Sequence, residues 1–307
     1  MPGKTCTLSA GNRSSRTPAF DCSYYTGIIA QWDFKKLLPR SFVPGHEPGF
    51  LQRFFASCED VERSEPCLAN ISTLWKGRSH LDARSEKIVS ITQSVDAELF
   101  LISHELANYS YENYGKLITL DTGDYFDSFS MSEEEKEFYW PYYIWWLIFC
   151  SRKFLPYGKT VFQMFLQNCQ RHRKLKPLLE KSLSRWQHVH PGFYRIVHKV
   201  SGQVYHLADL FDSRKEKVVC VSEEMKREPS DSDLLTGLVL PSASGVYFTV
   251  VNPLIIPGTL KDSLVTKLEK FYQEKNRPGQ EDFFAEHYPE MLKITIDHLL
   301  ENNLRRR

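Results

Sequence analysis

Three local patterns carry residue types that can do chemistry. Gly158-Lys159-Thr160 matches the end of a phosphate-binding loop. Such a loop also needs a glycine five positions before Gly158, so that the backbone can wrap phosphates with no Cβ in the way, and position 153 is Lys. A helix rather than a strand precedes it, so the expectation is a helix N-terminus after a turn. His104-Glu105 is the first half of a zinc-protease helix, whose second histidine lies one turn on so that both reach one metal. Position 108 is Asn, which leaves His104 an ordinary helix residue. His188, His190, His198 and His206 fall within nineteen residues. A two-residue turn at Ser201-Gly202 would pair His198 with Tyr205 and send His198 and His206 to opposite faces. A three-residue loop would set them opposite each other on one face. Neither a cysteine pair nor a nearby carboxylate completes a metal site.

The seven cysteines contain no Cys-x-x-Cys, and the eight residues between Cys58 and Cys67 fit common zinc spacings poorly. Their odd number suits reduced thiols in a cytosol. Asp209 and Asp212, in LADLFD, could form a carboxylate pair, although a turn capped by Asp is the commoner use of this pattern. The expectation is therefore no catalytic residue, no metal ligand set and no cofactor. What remains is charge. Residues 81–137 hold thirteen acids against four bases, whereas residues 151–190 hold nine bases and one acid, Glu180. Within the second segment Arg171, His172, Arg173, Lys174 and Lys176 form a compact run. Either the two segments face each other, or Arg171, Arg173, Lys174 and Lys176 form a patch that displaces counterions from phosphate.

The elements that must position these groups can be read from period and punctuation. The chain has 307 residues, 42% of them hydrophobic, and a formal charge of +1. That is ordinary globular composition, with no bulk field toward nucleic acid or an acidic membrane. The polar start lacks the apolar core of a signal peptide and reads as a flexible tail over residues 1–20. Tyr24 to Gly77 reads as short helices joined by turns. Ile88, Ile91, Val95, Leu99, Ile102, Leu106 and Tyr109 form one stripe of an amphipathic helix, with Asp82 as N-cap and Gly115 as its stop. A turn-like stretch, Asp121 to Ser130, follows. Ser132 with Glu133, Glu134 and Glu135 starts the next helix. FYWPYYIWWLIFC, residues 138–150, has eight aromatic residues in thirteen. It is shorter than the ~20 residues a membrane span needs, so it is expected to be a buried core helix, with Pro141 near the start of the run. Helices are expected over Thr160 to Cys169 and Leu175 to Trp186.

The period then changes. Phe193 to Lys199, Val204 to Leu207, Lys217 to Val221, Leu235 to Leu240 and Val246 to Val251 read as short strands of a small antiparallel barrel or bent sheet. Helices return at Leu260 to Lys275 and Asp282 to Asn303, with Pro289 kinking or splitting the second. The fold class is α+β: a mainly helical domain over 21–190, a small β-barrel-like module over 191–257, and C-terminal helices over 258–307 that pack on the rest.

WWLIFCSRKFLPYGKTVFQMFL, LLEKSLSRWQ, GFYRIVHKVSGQVYHLADLFDSRKEKVV, DLLTGLVLP and YFTVVNPLIIP carry a resemblance that covers about Tyr139 to Pro257. This stretch resembles a group of uncharacterised bacterial proteins in which a helical segment leads into a small β domain. Some of that group carry a C-terminal zinc motif like that of the SecA translocase. This chain ends in NNLRRR, so no zinc site is implied here. The resemblance implies a bacterial, cytoplasmic protein and no activity. The functional expectation is a non-enzymatic binding or adaptor protein with a protein partner, without a membrane span, touching nucleic acid through the basic helical segment. The alternative is a hydrolase or nuclease whose residues converge only in the fold.

Overall fold

The computed structural model describes residues 83–155, 158–221, 225, 227–276 and 283–304. The tail over 1–20, the short helices over 24–77, Asp82, Cys58 and Cys67 lie outside the described residues. Among those described, four helices precede the sheet: α1 (Ala83–Asp127), α2 (Glu133–Phe149), α3 (Val161–His172) and α4 (Pro177–Trp186). Seven strands follow: β1 (Gly192–Ser201), β2 (Val204–Asp209), β3 (Glu216–Cys220), β4 (Leu234–Gly237), β5 (Val239–Pro241), β6 (Tyr247–Thr249) and β7 (Leu254–Ile256). Helices α5 (Gly258–Lys275) and α6 (Phe283–Leu304) close the chain, and the class is α+β as expected.

Helix α1 corrects the expectation at its C-terminal half. It runs 45 residues, through Gly115 and as far as Asp127, so that only Ser128 to Ser130 of the stretch read as a turn lie outside the helix. A glycine costs a helix about 1 kcal/mol relative to alanine. Here the buried stripe continues past it as Ile118, Thr122 and Phe126, and the packing of that face outweighs the local cost. Gly115 is itself buried, and a Cβ on it would come within 3.1 Å of the Tyr111 ring.

Helix α2 opens with a reciprocal cap. The Ser132 hydroxyl accepts from the Glu135 N–H at 3.3 Å while the Glu135 carboxylate accepts from the Ser132 N–H at 2.9 Å. The helix passes Pro141 unbroken, and Tyr142 through Phe149 are all buried, so the aromatic run is core. α6 likewise passes Pro289 as one continuous helix rather than two.

The sheet order is β5-β6-β3-β2-β1-β4-β7. β5 and β4 stand five strand spacings apart in that order, which would be ~24 Å if the sheet were flat. Only Leu238 separates them along the chain, and two residues reach at most about 7 Å. The sheet must therefore curl so that β4 and β5 approach each other at Leu238, and it forms a half-barrel. The single strand expected over Leu235 to Leu240 is in fact bent at Gly237-Leu238 into β4 and β5, and β7 is an additional three-residue edge strand. All pairings are antiparallel except β3 with β6.

The two faces of the sheet feed different cores. Tyr194, Ile196, Tyr205, Leu207, Val219, Leu235 and Val239 form one cluster. It joins strands from both ends of the sheet order, as only the inside of a curl allows. Phe193, Leu234, Leu240, Phe248, Leu254 and Ile256 point the other way and join the helices in a single larger core.

Candidate functional site

The basic run straddles the connection between α3 and α4. Arg171 and His172 occupy the last turn of α3, where cations offset the negative end of the helix dipole, and Lys176 is the N-cap residue of α4. Arg173 forks onto Glu105, donating from Nη2 to Oε2 at 2.6 Å and from Nη1 to Oε1 at 3.4 Å. Lys176 donates to Glu98 at 2.9 Å. Glu98 and Glu105 lie two turns apart on one face of α1, so the connection is strapped along that helix. The acidic and basic segments thus face each other at these two pairs. Arg171 and Lys174 are exposed and make no ion pair among the described residues.

The near-motifs resolve into structural roles. Thr160 is the N-cap of α3, with a reciprocal cap to Gln163, so Gly158-Lys159-Thr160 is the turn before a helix. His104 lies edge-on to Phe100 at 4.9 Å, and burial pushes its imidazole down to about 4. It is neutral near pH 7, as an apolar surrounding requires. The turn between β1 and β2 is Gly202-Gln203, with Gly202 at φ +47°, one residue later than the pairing of His198 with Tyr205 requires. Irregularities along β1 shift the register, and His198 stands directly across from His206 with ring centroids 4.9 Å apart. A carboxylate oxygen of Glu216 lies 3.0 Å from His206 Nε2. His190 instead stacks on Phe284, and His188 is exposed, so the four histidines do not converge. Among the described residues no three metal-ligating side chains group together.

Asp209 accepts the N–H groups of Phe211 and Asp212 on one oxygen, and Asp212 pairs with Arg214, which is the capped turn. Cys150, Cys169 and Cys220 are buried thiols, and burial pushes that of Cys169 up, away from the nucleophilic thiolate.

One group that sequence reasoning missed lies inside the curl. Lys217, on β3, shares the inward face with Val219 two residues on. Its Nζ is 4.8 Å from the Tyr194 ring centroid and 5.5 Å from that of Tyr247, and 3.4 Å from the Tyr194 hydroxyl. Burial pushes the amine below its ordinary value; Asp209 opposes this and Lys215 adds to it. Asp209 is paired across the ladder with Tyr194, so the acid, the phenol and the amine occupy the same end of the sheet. Gly192 makes room for the phenol, because a Cβ there would stand 2.7 Å from the Tyr194 oxygen. The signal was present in the KVVCV alternation, which puts Lys217 in phase with Val219 and Val221.

The fold and these two charged sites define an α+β protein with a helix-backed half-barrel. No protein-family model, curated protein or solved structure matches the chain. Among the described residues no helix is long and apolar enough to cross a membrane.

Proposed function

We propose that the protein is a non-enzymatic binding or adaptor protein that engages an acidic partner at the α3–α4 connection. The supporting observation is the division of labour within the basic run. Arg173 and Lys176 are tied to Glu105 and Glu98, while Arg171, in the last turn of α3, and Lys174, in the connection, are exposed and make no ion pair among the described residues. These two exposed ion pairs lay the connection along α1 and leave Arg171 and Lys174 facing solvent. Two such cations suit an acidic protein surface better than a nucleic-acid track, whose affinity is built up from many phosphate contacts. The same reading places the protein in the bacterial cytoplasm. Its support is the resemblance over Tyr139 to Pro257 and the buried thiols of Cys150, Cys169 and Cys220.

The test is cross-linking and affinity capture in the native cells with the unmodified chain and with Arg171→Ala/Lys174→Ala, together with titration of duplex DNA and RNA at low salt. Loss of a captured protein in the double variant, with its melting temperature unchanged, is the expected result. A partner set and nucleic-acid affinity that are identical for both chains would refute this site. If nucleic acid does bind through the pair, the salt slope for duplex DNA should fall by about 0.9 for each residue removed.

A further inference from the structure

We infer that His198 and His206 form a two-histidine site for a divalent transition-metal ion of the zinc, copper or nickel class on the outer face of the β1–β2 hairpin. Glu216, on β3, is the carboxylate that orients one of the two ligands. This site is separate from the α3–α4 connection, and its test does not depend on the reading given there.

The register of the hairpin carries the inference. From its base, β1 pairs with β2 as Tyr194 with Asp209, Arg195 with Ala208 and Ile196 with Leu207. Continued without a break, that ladder would set Val197 opposite His206. From the turn, where Ser201 pairs with Val204, the same regularity would set Lys199 there. β1 instead carries two extra residues, Val197 between Ile196 and His198 and Val200 between Lys199 and Ser201, and His198 stands opposite His206 as a result. Val197 and Val200 are 44% and 45% exposed, more than any other large apolar side chain of the sheet among the described residues. Bulges re-aim side chains and are over-represented beside functional sites. Here they leave two valines in water and bring two imidazoles together.

The imidazoles meet at the separation that two ligands of one ion require. Their ring centroids are 4.9 Å apart. Two histidines that hold one ion through nitrogens at about 2 Å, at a near-tetrahedral angle, have centroids about 5 Å apart. Tyr205 and Leu207 belong to the inner cluster, so His206 between them faces outward, and His198 opposite it is exposed. An ion reaches such a pair from solvent and needs no cavity. β2 lies between β1 and β3, so His206 has His198 on one side and Glu216 on the other. Glu216 shares that outer face because it is two residues from Val218, the partner of His206 on β3. Its carboxylate oxygen, 3.0 Å from His206 Nε2, holds the ring proton there and leaves the lone pair on Nδ1. Carboxylates orient histidine ligands and raise their basicity in this way. Among the described residues no three metal-ligating side chains group together, so the protein supplies two ligands and water the rest. Imidazole donors select zinc, copper or nickel over magnesium and calcium, which take oxygen ligands.

The test uses the unmodified full chain at pH 7.5 with zinc chloride as the probe. Histidine modification by diethylpyrocarbonate, with and without zinc, is mapped by mass spectrometry, and zinc binding is followed by calorimetry. Zinc should protect His198 and His206 together, leave the exposed His188 as reactive as before, and be replaced by magnesium to no effect. In His198→Ala the protection of His206 should be lost, and in His206→Gln that of His198, because one ion shared by both rings needs both. Glu216→Ala should weaken zinc binding by about 10–100-fold, the usual effect of removing the carboxylate behind a histidine ligand. His198 is exposed, so His198→Ala should match the parent in circular dichroism and in melting temperature without zinc, while only the parent gains melting temperature when zinc is added. Reactivity of His198 and His206 that zinc does not change would overturn the inference. So would protection of either histidine that survives replacement of the other.

Discussion

Trp146 donates its indole N–H to the main-chain oxygen of Ala285 at 2.8 Å. Within α6 that oxygen would ordinarily receive the N–H of residue 289, but Pro289 has none to give. The aromatic helix α2 thus completes the hydrogen bonding of a helix some 140 positions away, and Pro289 stays inside a continuous α6. Tyr125 in turn donates to the Pro289 oxygen at 2.8 Å, so α1, α2 and α6 meet at this proline.

Trp146→Phe should therefore destabilise the protein by about 1 kcal/mol beyond the loss of ring volume, the low end of the cost of stranding a polar atom, because this one is only partly buried. Pro289→Ala restores a donor to the Ala285 oxygen. In a double-substitution cycle followed by urea unfolding, the Trp146 change should cost measurably less in the Pro289→Ala background. Equal costs in both backgrounds would show that the indole N–H is not filling the proline's place.

Trp145 is 3% exposed and sits in the main core beside Phe149. Trp145→Ala should cost about 3–5 kcal/mol, as expected for a large aromatic side chain removed from a packed interior. A variant as stable as the parent in chemical denaturation would mean that the aromatic face is not packed as described.

His104 should make stability fall on mild acidification. Its folded value of about 4 lies below its ordinary 6.5, so the unfolded chain binds the extra proton first as pH drops. The contribution is complete above the unfolded value and is lost as pH falls from about 6.5 to 4, up to roughly 3 kcal/mol. Urea midpoints between pH 7.5 and 4.5 should shift less in His104→Phe than in the parent, if that variant keeps the native fold. Parallel curves would contradict a buried neutral imidazole.

The four cations of the basic run should separate into two classes. Arg173→Ala and Lys176→Ala each break an ion pair with α1 and should lower the melting temperature slightly, within the 0.2–1 kcal/mol of exposed pairs. Lys174→Ala should leave it unchanged, and Arg171→Ala should remove only the favourable interaction of a cation with the C-terminal end of α3. Thermal melts at low and high salt check this, because the differences of Arg173→Ala and Lys176→Ala should shrink when salt screens the charges while Lys174→Ala shows none at either.

Local signals located most elements. The Ser132/Glu135 cap, the turn ahead of Thr160 and the alternation of β1, β2 and β3 are written in neighbouring residues, and the structure places them where those residues point. The misreadings fall where a distant partner overrules the neighbours. Gly115 and the residues after Asp121 look like a helix end, yet burial of Ile118, Thr122 and Phe126 carries α1 onward. Pro289 looks like a break, yet Trp146 and Tyr125 accommodate it.

The candidate sites divide in the same way. The amino-acid order by itself determined the α+β class, the aromatic core helix and the opposition of an acidic to a basic segment, because period, capping and net charge are properties of short stretches. Only the tertiary structure decided which cations are neutralised, since the choice of Glu98 and Glu105 depends on how the α3–α4 connection lies along α1. Only the curl of the sheet set Lys217 between Tyr194 and Tyr247, because those rings come from strands on either side of β3 in the chain. The environment of a charged group is made by residues remote in sequence, and that environment decides whether it is solvated, paired or reactive.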